Sequence, residues 1–270
     1  MKKYTIITFI AAFFAVCGNV SLTAGKGPEV YSIYDINQEC LLGGWAGDTW
    51  IMADSAAQYI NGGERYSIYS MFGQHTVVKG QKPHNSEMGA CPEMLTIEID
   101  SFAGAEDRYY AFTGDWNALP RVPDTLKVNN RINNIVRNFL KKNKLKNPKV
   151  IVTSVYEIDI EGNGQKDTVI SAAYISPESY FSPKNGDYSI IILRRNVDGK
   201  PVTIPLATDI HTKSDGSLMY ENVVLGFFDF NNDSKLEILL NESYYEGSFT
   251  VLVGVENNEY THYLDCGCGL

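Results

Sequence analysis

Two nine-residue stretches of this chain carry oxygen-bearing side chains at the same intervals. The first is Asp159-Ile160-Glu161-Gly162-Asn163-Gly164-Gln165-Lys166-Asp167, and the second is Asp229-Phe230-Asn231-Asn232-Asp233-Ser234-Lys235-Leu236-Glu237. Positions 1, 3, 5 and 9 bear a carboxylate or amide oxygen in both. Alternate residues of a tightly turning loop aim such oxygens at one centre, and Ca²⁺ takes about six to eight of them at roughly 2.3–2.6 Å. The backbone carbonyl at the seventh position, Gln165 or Lys235, adds another ligand. The sixth position favours glycine, which takes positive φ freely; Gly164 fits, and Ser234 is the costlier substitute. Three acids converging without a cation would repel one another and resist ionisation. Polar hairpin turns use the same Asp, Asn and Gly, so one such loop is ambiguous. Two in the same register point to two structural Ca²⁺ ions, with a Kd on the order of 10⁻⁴ to 10⁻³ M.

The elements that must position these loops read as strands. Val155 to Ile158 and Val169-Ile170 flank the first loop, and Val224 to Phe228 and Ile238-Leu239-Leu240 flank the second. Further short runs rich in branched or aromatic residues are Val150 to Val152, Tyr188 to Leu193, Phe249 to Val255, Met94 to Ile99 and Tyr109 to Thr113. One segment reads as helix, about 125–145, because Ile132, Ile135, Val136, Phe139 and Leu140 share one face of a 3.6-residue period. Asp124 after Pro123 is its start signal, and Lys141, Lys142, Lys144 and Lys146 crowd its end, where positive charge complements the helix dipole. That lysine run reads as a solvated helix end rather than an anion site.

An internal echo accompanies the loops. Tyr66-Ser67-Ile68, Tyr188-Ser189-Ile190 and Phe249-Thr250-Val251 lie 122 and 61 residues apart. The spacing suits a repeat the size of a small antiparallel sheet, although the copy due near residue 127 falls on the helix. The fold class expected is mainly β: repeat-built antiparallel sheets, a degenerate or incomplete β-propeller, with one amphipathic helix.

The loops resemble the D-x-[DN]-x-[DN]-G-x-x-[DE] calcium loops of the FG-GAP or VCBS repeat family, found in integrin-α-like propellers. The resemblance covers roughly residues 150–255. It implies that each loop joins two strands of a blade and holds a Ca²⁺ that stiffens the turn. Carried over by position, the ligands would be Asp159, Glu161, Asn163, Gln165 and Asp167, then Asp229, Asn231, Asp233, Lys235 and Glu237. The stretch Asn241 to Phe249 and the Cys-Gly-Cys-Gly ending also resemble secreted bacterial proteins of this type. Glu161 is longer than the family's Asp, no Phe-Gly…Gly-Ala-Pro pair is present, and the N-terminal counterpart, Gly43 to Trp50, has the single acid Asp48.

Composition bounds the function. The formal charge of −9, from 23 Lys plus Arg against 32 Asp plus Glu, argues against nucleic acid as a partner. Met1-Lys2-Lys3 followed by the apolar Tyr4 to Val16 reads as a signal peptide, residues 1–24, cleaved after Gly18 or Ala24. Thirteen such residues are too few to span a bilayer as helix, and no later stretch approaches 18 continuous apolar residues, so no stable membrane insertion of the mature chain is expected. A lipoprotein at Cys17 is the minor alternative. Residues 25–270 then form a single β domain, secreted or periplasmic. In that oxidising setting Cys40, Cys91, Cys266 and Cys268 read as disulfides, with three pairings open. His75, His84, His211 and His262 are scattered, without metal-ligand spacing.

The sequence contains no Gly-x-Ser-x-Gly elbow, P-loop or Gly-x-Gly-x-x-Gly motif. The reading is a calcium-stabilised, non-enzymatic binding module for an extracellular protein or glycan. The rival is a glycosidase-like hydrolase using paired carboxylates on the same scaffold. Trp45, Trp50, Trp116, Tyr244 and Tyr245 are candidates for a sugar-stacking platform, although such aromatics more commonly pack in cores.

Overall fold

The computed structural model describes residues 29–104, 108–176, 178–179, 181–214 and 216–269. The expected signal segment and Cys17 lie outside the described residues. In chain order the first elements are β1 (Val30–Asp35), β2 (Cys40–Ala46), β3 (Thr49–Met52), α1 (Ala53–Ala57), β4 (Arg65–Ser70) and β5 (Gly73–Lys79). The short strands β6 (His84–Asn85), β7 (Leu95–Thr96), β8 (Tyr110–Phe112) and β9 (Asp124–Thr125) follow, then helix α2 (Asn130–Lys142). The loop-bearing part is β10 (Val152–Ile158), β11 (Asp167–Tyr174), β12 (Tyr188–Val197) and β13 (Lys200–Ile210), then β14 (Glu221–Phe228), β15 (Glu237–Tyr244), β16 (Gly247–Glu256) and β17 (Glu259–Gly269).

The chain is mainly β, and its sheets are antiparallel. A six-stranded sheet has the order β3-β2-β1-β8-β4-β5. Two meanders follow, β13-β12-β11-β10 with β9 on its edge, and β14-β15-β16-β17. They share a plan in which the first hairpin carries an acidic loop. Among the described residues none of the sheets closes into a barrel.

The near-continuous apolar runs have a packing cause. A strand covered on both faces has no polar side to show. On β15, Ile238 and Leu240 face the first meander while Leu239 faces the six-stranded sheet. On β16, Val251, Val253 and Val255 alternate with Leu252 in the same way. The second meander is thus the middle layer. The first meander is covered on its outer face by α2, whose Ile132, Val136 and Leu140 pack on Val155, Ile170 and Ile190.

Three details correct the sequence reading. The helix is Asn130–Lys142, not 125–145, because the Asn129 side chain accepts the Ile132 amide and caps it. Asp124, read as the start signal, is instead in β9, with Asp124 and Thr125 paired to Glu157 and Tyr156. The echo holds for two of its three members. Tyr188 and Phe249 both lie on the third strand of a meander, whereas Tyr66 lies on β4, between β8 and β5 of a sheet with different connectivity.

Two disulfides, Cys40–Cys266 and Cys91–Cys268, select one of the three pairings and fasten β17 to the N-terminal half. A buried polar link joins the same layers. Asp35 accepts the amides of Asn37 and Gln38 at 2.8 and 3.0 Å, and its second oxygen accepts the Thr250 hydroxyl at 2.6 Å. Burial pushes the Asp35 carboxyl above the ordinary range, against the pull of these donors. A carboxyl raised in the folded state stabilises the fold below its unfolded value of roughly 3.9 and loses that contribution as pH rises through the folded value. Chemical unfolding at several pH values is therefore expected to show a falling stability component on leaving acid. Asp35→Asn, which keeps the amide acceptor, should remove it; an identical pH slope in the variant would refute the assignment.

Candidate metal centre

Each acidic stretch closes a hairpin. Ile158 pairs with Asp167 across the first loop, and Phe228 with Glu237 across the second. Their internal hydrogen bonds correspond position by position. The first-position carboxylate, Asp159 or Asp229, accepts the amides of the fifth and sixth residues. The fifth residue, Asn163 or Asp233, accepts the amide of the seventh at 2.8 Å in both loops. In the second loop Asn231 also accepts the Asp233 amide, and Glu237 accepts the Phe230 amide at 2.8 Å. The amides of Gln165 and Lys235 are thus engaged in turning the chain.

The turns need left-handed backbone at two places rather than the one read from sequence. Gly162 and Gly164 have φ of 68° and 82°, and their counterparts Asn232 and Ser234 have 60° and 69°. An L side chain in that region costs roughly 1–2 kcal/mol, less for Asn. Ser234→Gly is therefore expected to stabilise the protein by about 1 kcal/mol, after the greater chain entropy of glycine is deducted. Gly162→Ala should destabilise by more, because its new Cβ would stand 2.5 Å from the Ser234 carbonyl oxygen. Equilibrium urea unfolding of the two variants checks both signs.

The close approach at Gly162 reflects loop-to-loop packing. The Leu236 amide donates to the Ile160 carbonyl at 2.8 Å, and Lys235 Nζ lies 3.6 Å from Glu161 Oε2. Arg121 donates to the Ser234 carbonyl at 2.8 Å. Trp116, a candidate sugar platform in the sequence, instead donates its indole N–H to the Asp229 carbonyl at 2.8 Å and packs against Tyr31 and Phe112. Half-buried, it anchors the second loop through that bond.

The loops differ in their countercharge. In the first, the buried Arg195 donates to Glu161 at 2.7 Å and to Asp167 at 2.8 Å. Burial pushes Asp167 upward, with the guanidinium opposing. Burial also works against the charge on Arg195, but its bonds to Asp167 and Glu161 outweigh that and hold it above its usual value. In the second loop, among the described residues, no Lys, Arg or His lies within ion-pair distance of Asp229, Asp233 or Glu237. Burial raises Asp229 and Glu237, and neighbouring carboxylates add to it.

Register explains the difference. Thr168 pairs with Arg194, which sets Arg195 beside Asp167, and Ile238 pairs with Val253, which sets Gly254 beside Glu237. A Cβ at Gly254 would meet the Tyr263 hydroxyl at 2.2 Å. Sequence reasoning missed Arg195 because it is 28 residues from Asp167 in the chain, and only the strand pairing brings them together. Among the described residues no cluster of three or more His, Cys, Asp or Glu side chains is gathered for a metal. The proposed ligands include Asn side chains and backbone carbonyls, and several of the carboxylates are turned onto backbone amides.

A cavity of about 460 Å³ opens beside the second loop, lined by Trp45, Trp50 and Tyr263 together with Asp48, Asn231 and Glu256. Trp50 stacks on Tyr263 at 5.2 Å, and Trp45 meets Trp50 edge-on at 4.9 Å. Two of the five sequence candidates thus share a site, joined by Tyr263, which periodicity did not single out. Tyr244 and Tyr245 lie at the far end of β15, against Phe249 and Phe181. A second cavity, about 570 Å³, is lined by Asn163, Gln165, Asp167 and Arg195 of the first loop's surroundings.

Away from the loops, Ser217 Oγ lies 3.4 Å from His211 Nδ1, and His211 Nε2 lies 2.8 Å from Asp209 Oδ1. The His211–Asp209 approach lacks hydrogen-bond alignment, and the serine distance is long for base activation. None of the family models, curated proteins or solved structures compared with the chain matches it, so the loops and their surroundings carry the functional argument.

Proposed function

We propose that this is an exported, calcium-stabilised β-repeat protein whose role is recognition of an extracellular glycan. The observation that carries the calcium reading is the second loop. Its three acids, its internal amide-to-carboxylate bonds and the absence of a protein cation within reach, among the described residues, suit a hard divalent ion. When bound, the ion would supply charge neutralisation and a rigid turn. Asp229, Asn231, Asp233, Glu237 and the Lys235 carbonyl would hold it. The first loop has the same frame, and its sequence alone reads as a second such site. A structural ion of this kind stabilises the surface around it rather than performing chemistry.

The recognition surface we favour is the cavity beside that loop. Aromatic faces stack on the apolar face of a sugar ring, and amide and carboxylate groups accept its hydroxyls, as in other concave ligand sites. Trp45, Trp50 and Tyr263 supply the first feature; Asp48, Glu256 and Asn257 supply the second. The two disulfides and the lack of a helix long and apolar enough to cross a membrane, among the described residues, agree with an extracellular setting. An oligosaccharide panel tests the reading. Retention of at least one glycan is expected, with binding weakened tenfold or more by Trp45→Ala at unchanged melting temperature. Cleavage of a panel member, abolished by a carboxylate change outside both loops, would establish the hydrolase instead.

A further inference from the structure

Arg195 stands where a metal ion would have to work. It reaches the third- and ninth-position carboxylates of the first loop together, Glu161 at 2.7 Å and Asp167 at 2.8 Å. Those are two of the side chains that the calcium pattern assigns to the ion. The guanidinium is well held: its side chain is 7% exposed and that of Asp167 is 8%. A planar fork fitted to two carboxylates is a strong and directional partner. Lys235 adds a second positive charge at 3.6 Å from Glu161. Two of the three acids of the first loop, Glu161 and Asp167, therefore have a cation within ion-pair distance, whereas none of the three in the second loop does among the described residues. A divalent ion entering the first loop would have to displace a buried guanidinium or sit beside it. Displacement leaves a buried charge without its partner, and a place beside the guanidinium sets two cations against each other; both are costly.

We propose that Arg195 is the built-in cation of the first loop, so that the chain takes up one divalent ion, in the second loop, and not two. Resting on the calcium reading above for its second half, the inference assigns the two loops different devices for the same electrostatic problem. The Arg195-to-Gly254 exchange at matched register decides which device each loop uses.

Equilibrium dialysis with Ca²⁺ counts the ions directly. The wild-type chain is expected to bind one, Asp229→Asn none, and Arg195→Gln two, as removal of the guanidinium opens the first loop. Arg195→Gln should also melt lower than wild type in EDTA and recover more on adding Ca²⁺. Two ions on the wild type, or one on a folded Arg195→Gln, would overturn the proposal while leaving calcium binding intact. No ion on the wild type but one on Arg195→Gln would sink the second-loop calcium reading and leave the role of Arg195 standing. No ion on either would sink both. If Arg195→Gln does not fold, Asp159→Asn in the otherwise wild-type chain decides. An unchanged count of one, with Kd unchanged within twofold, is expected, and loss of the ion overturns the proposal.

Discussion

Chelating Ca²⁺ is expected to lower the melting temperature by roughly 5–10 °C, and Asp229→Asn should abolish the difference between the chelated and calcium-loaded protein. An ion that binds only the folded state contributes about 2.7 kcal/mol when its concentration is a hundredfold above Kd. For a chain of this length each kcal/mol moves the transition by roughly 2–4 °C. The effect concentrates at Asp229 because that side chain accepts two amides that turn the loop and its backbone carbonyl holds Trp116. It must also weaken in acid. Asp229 and Glu237 have carboxyls raised above their ordinary range, and the ion requires their ionised forms. The calcium-induced shift is therefore full above those raised values and shrinks as pH falls through them. Scanning calorimetry in EDTA and in roughly 10–100 mM Ca²⁺, about a hundredfold above a Kd on the order of 10⁻⁴ to 10⁻³ M, provides the check. Coincident transitions would mean that no ion is coupled to folding.

Breaking the disulfides should cost more. Cys40–Cys266 joins residues 226 apart and Cys91–Cys268 residues 177 apart. Bonds that close long loops remove the most freedom from the unfolded chain, and loss of one typically costs about 2–5 kcal/mol. Cys40→Ala with Cys266→Ala is thus expected to lower the melting temperature by on the order of 10 °C, through the loss of the tether between β2 and β17. The two bonds should also differ in reactivity. Cys40 is fully buried and Cys266 nearly so, whereas Cys91 and Cys268 are partly exposed. Mild reduction followed by alkylation and mass spectrometry is expected to label Cys91 and Cys268 first. Simultaneous labelling of all four would argue that reduction requires global unfolding.

Local rules carried far because the meanders obey them. Apolar runs bounded by Asp, Asn and Gly became strands at every position flanking a loop, and the nine-residue spacing became two hairpin turns with corresponding hydrogen bonds. The helix was legible from its apolar stripe, but its start was not. Asp124 looks like a cap in the sequence, and β10 recruited it into an edge strand that no local rule could foresee. The aromatic candidates divided for the same reason. Trp116, half-buried, was claimed by the Asp229 carbonyl of the second loop, while Trp50 met Tyr263 across two sheets and Trp45 met Trp50.

The sequence alone determined a mainly β chain with two matched acidic turns, four cysteines able to pair, and an acidic surface. Those properties live in composition and in short-range spacing. Tertiary structure decided which cysteines pair, which aromatics share a cavity, and which acidic turn has a resident cation. Each of these depends on residues tens to hundreds apart in the chain and brought together by strand register, and a one-residue slip in that register would send every side chain to the opposite face.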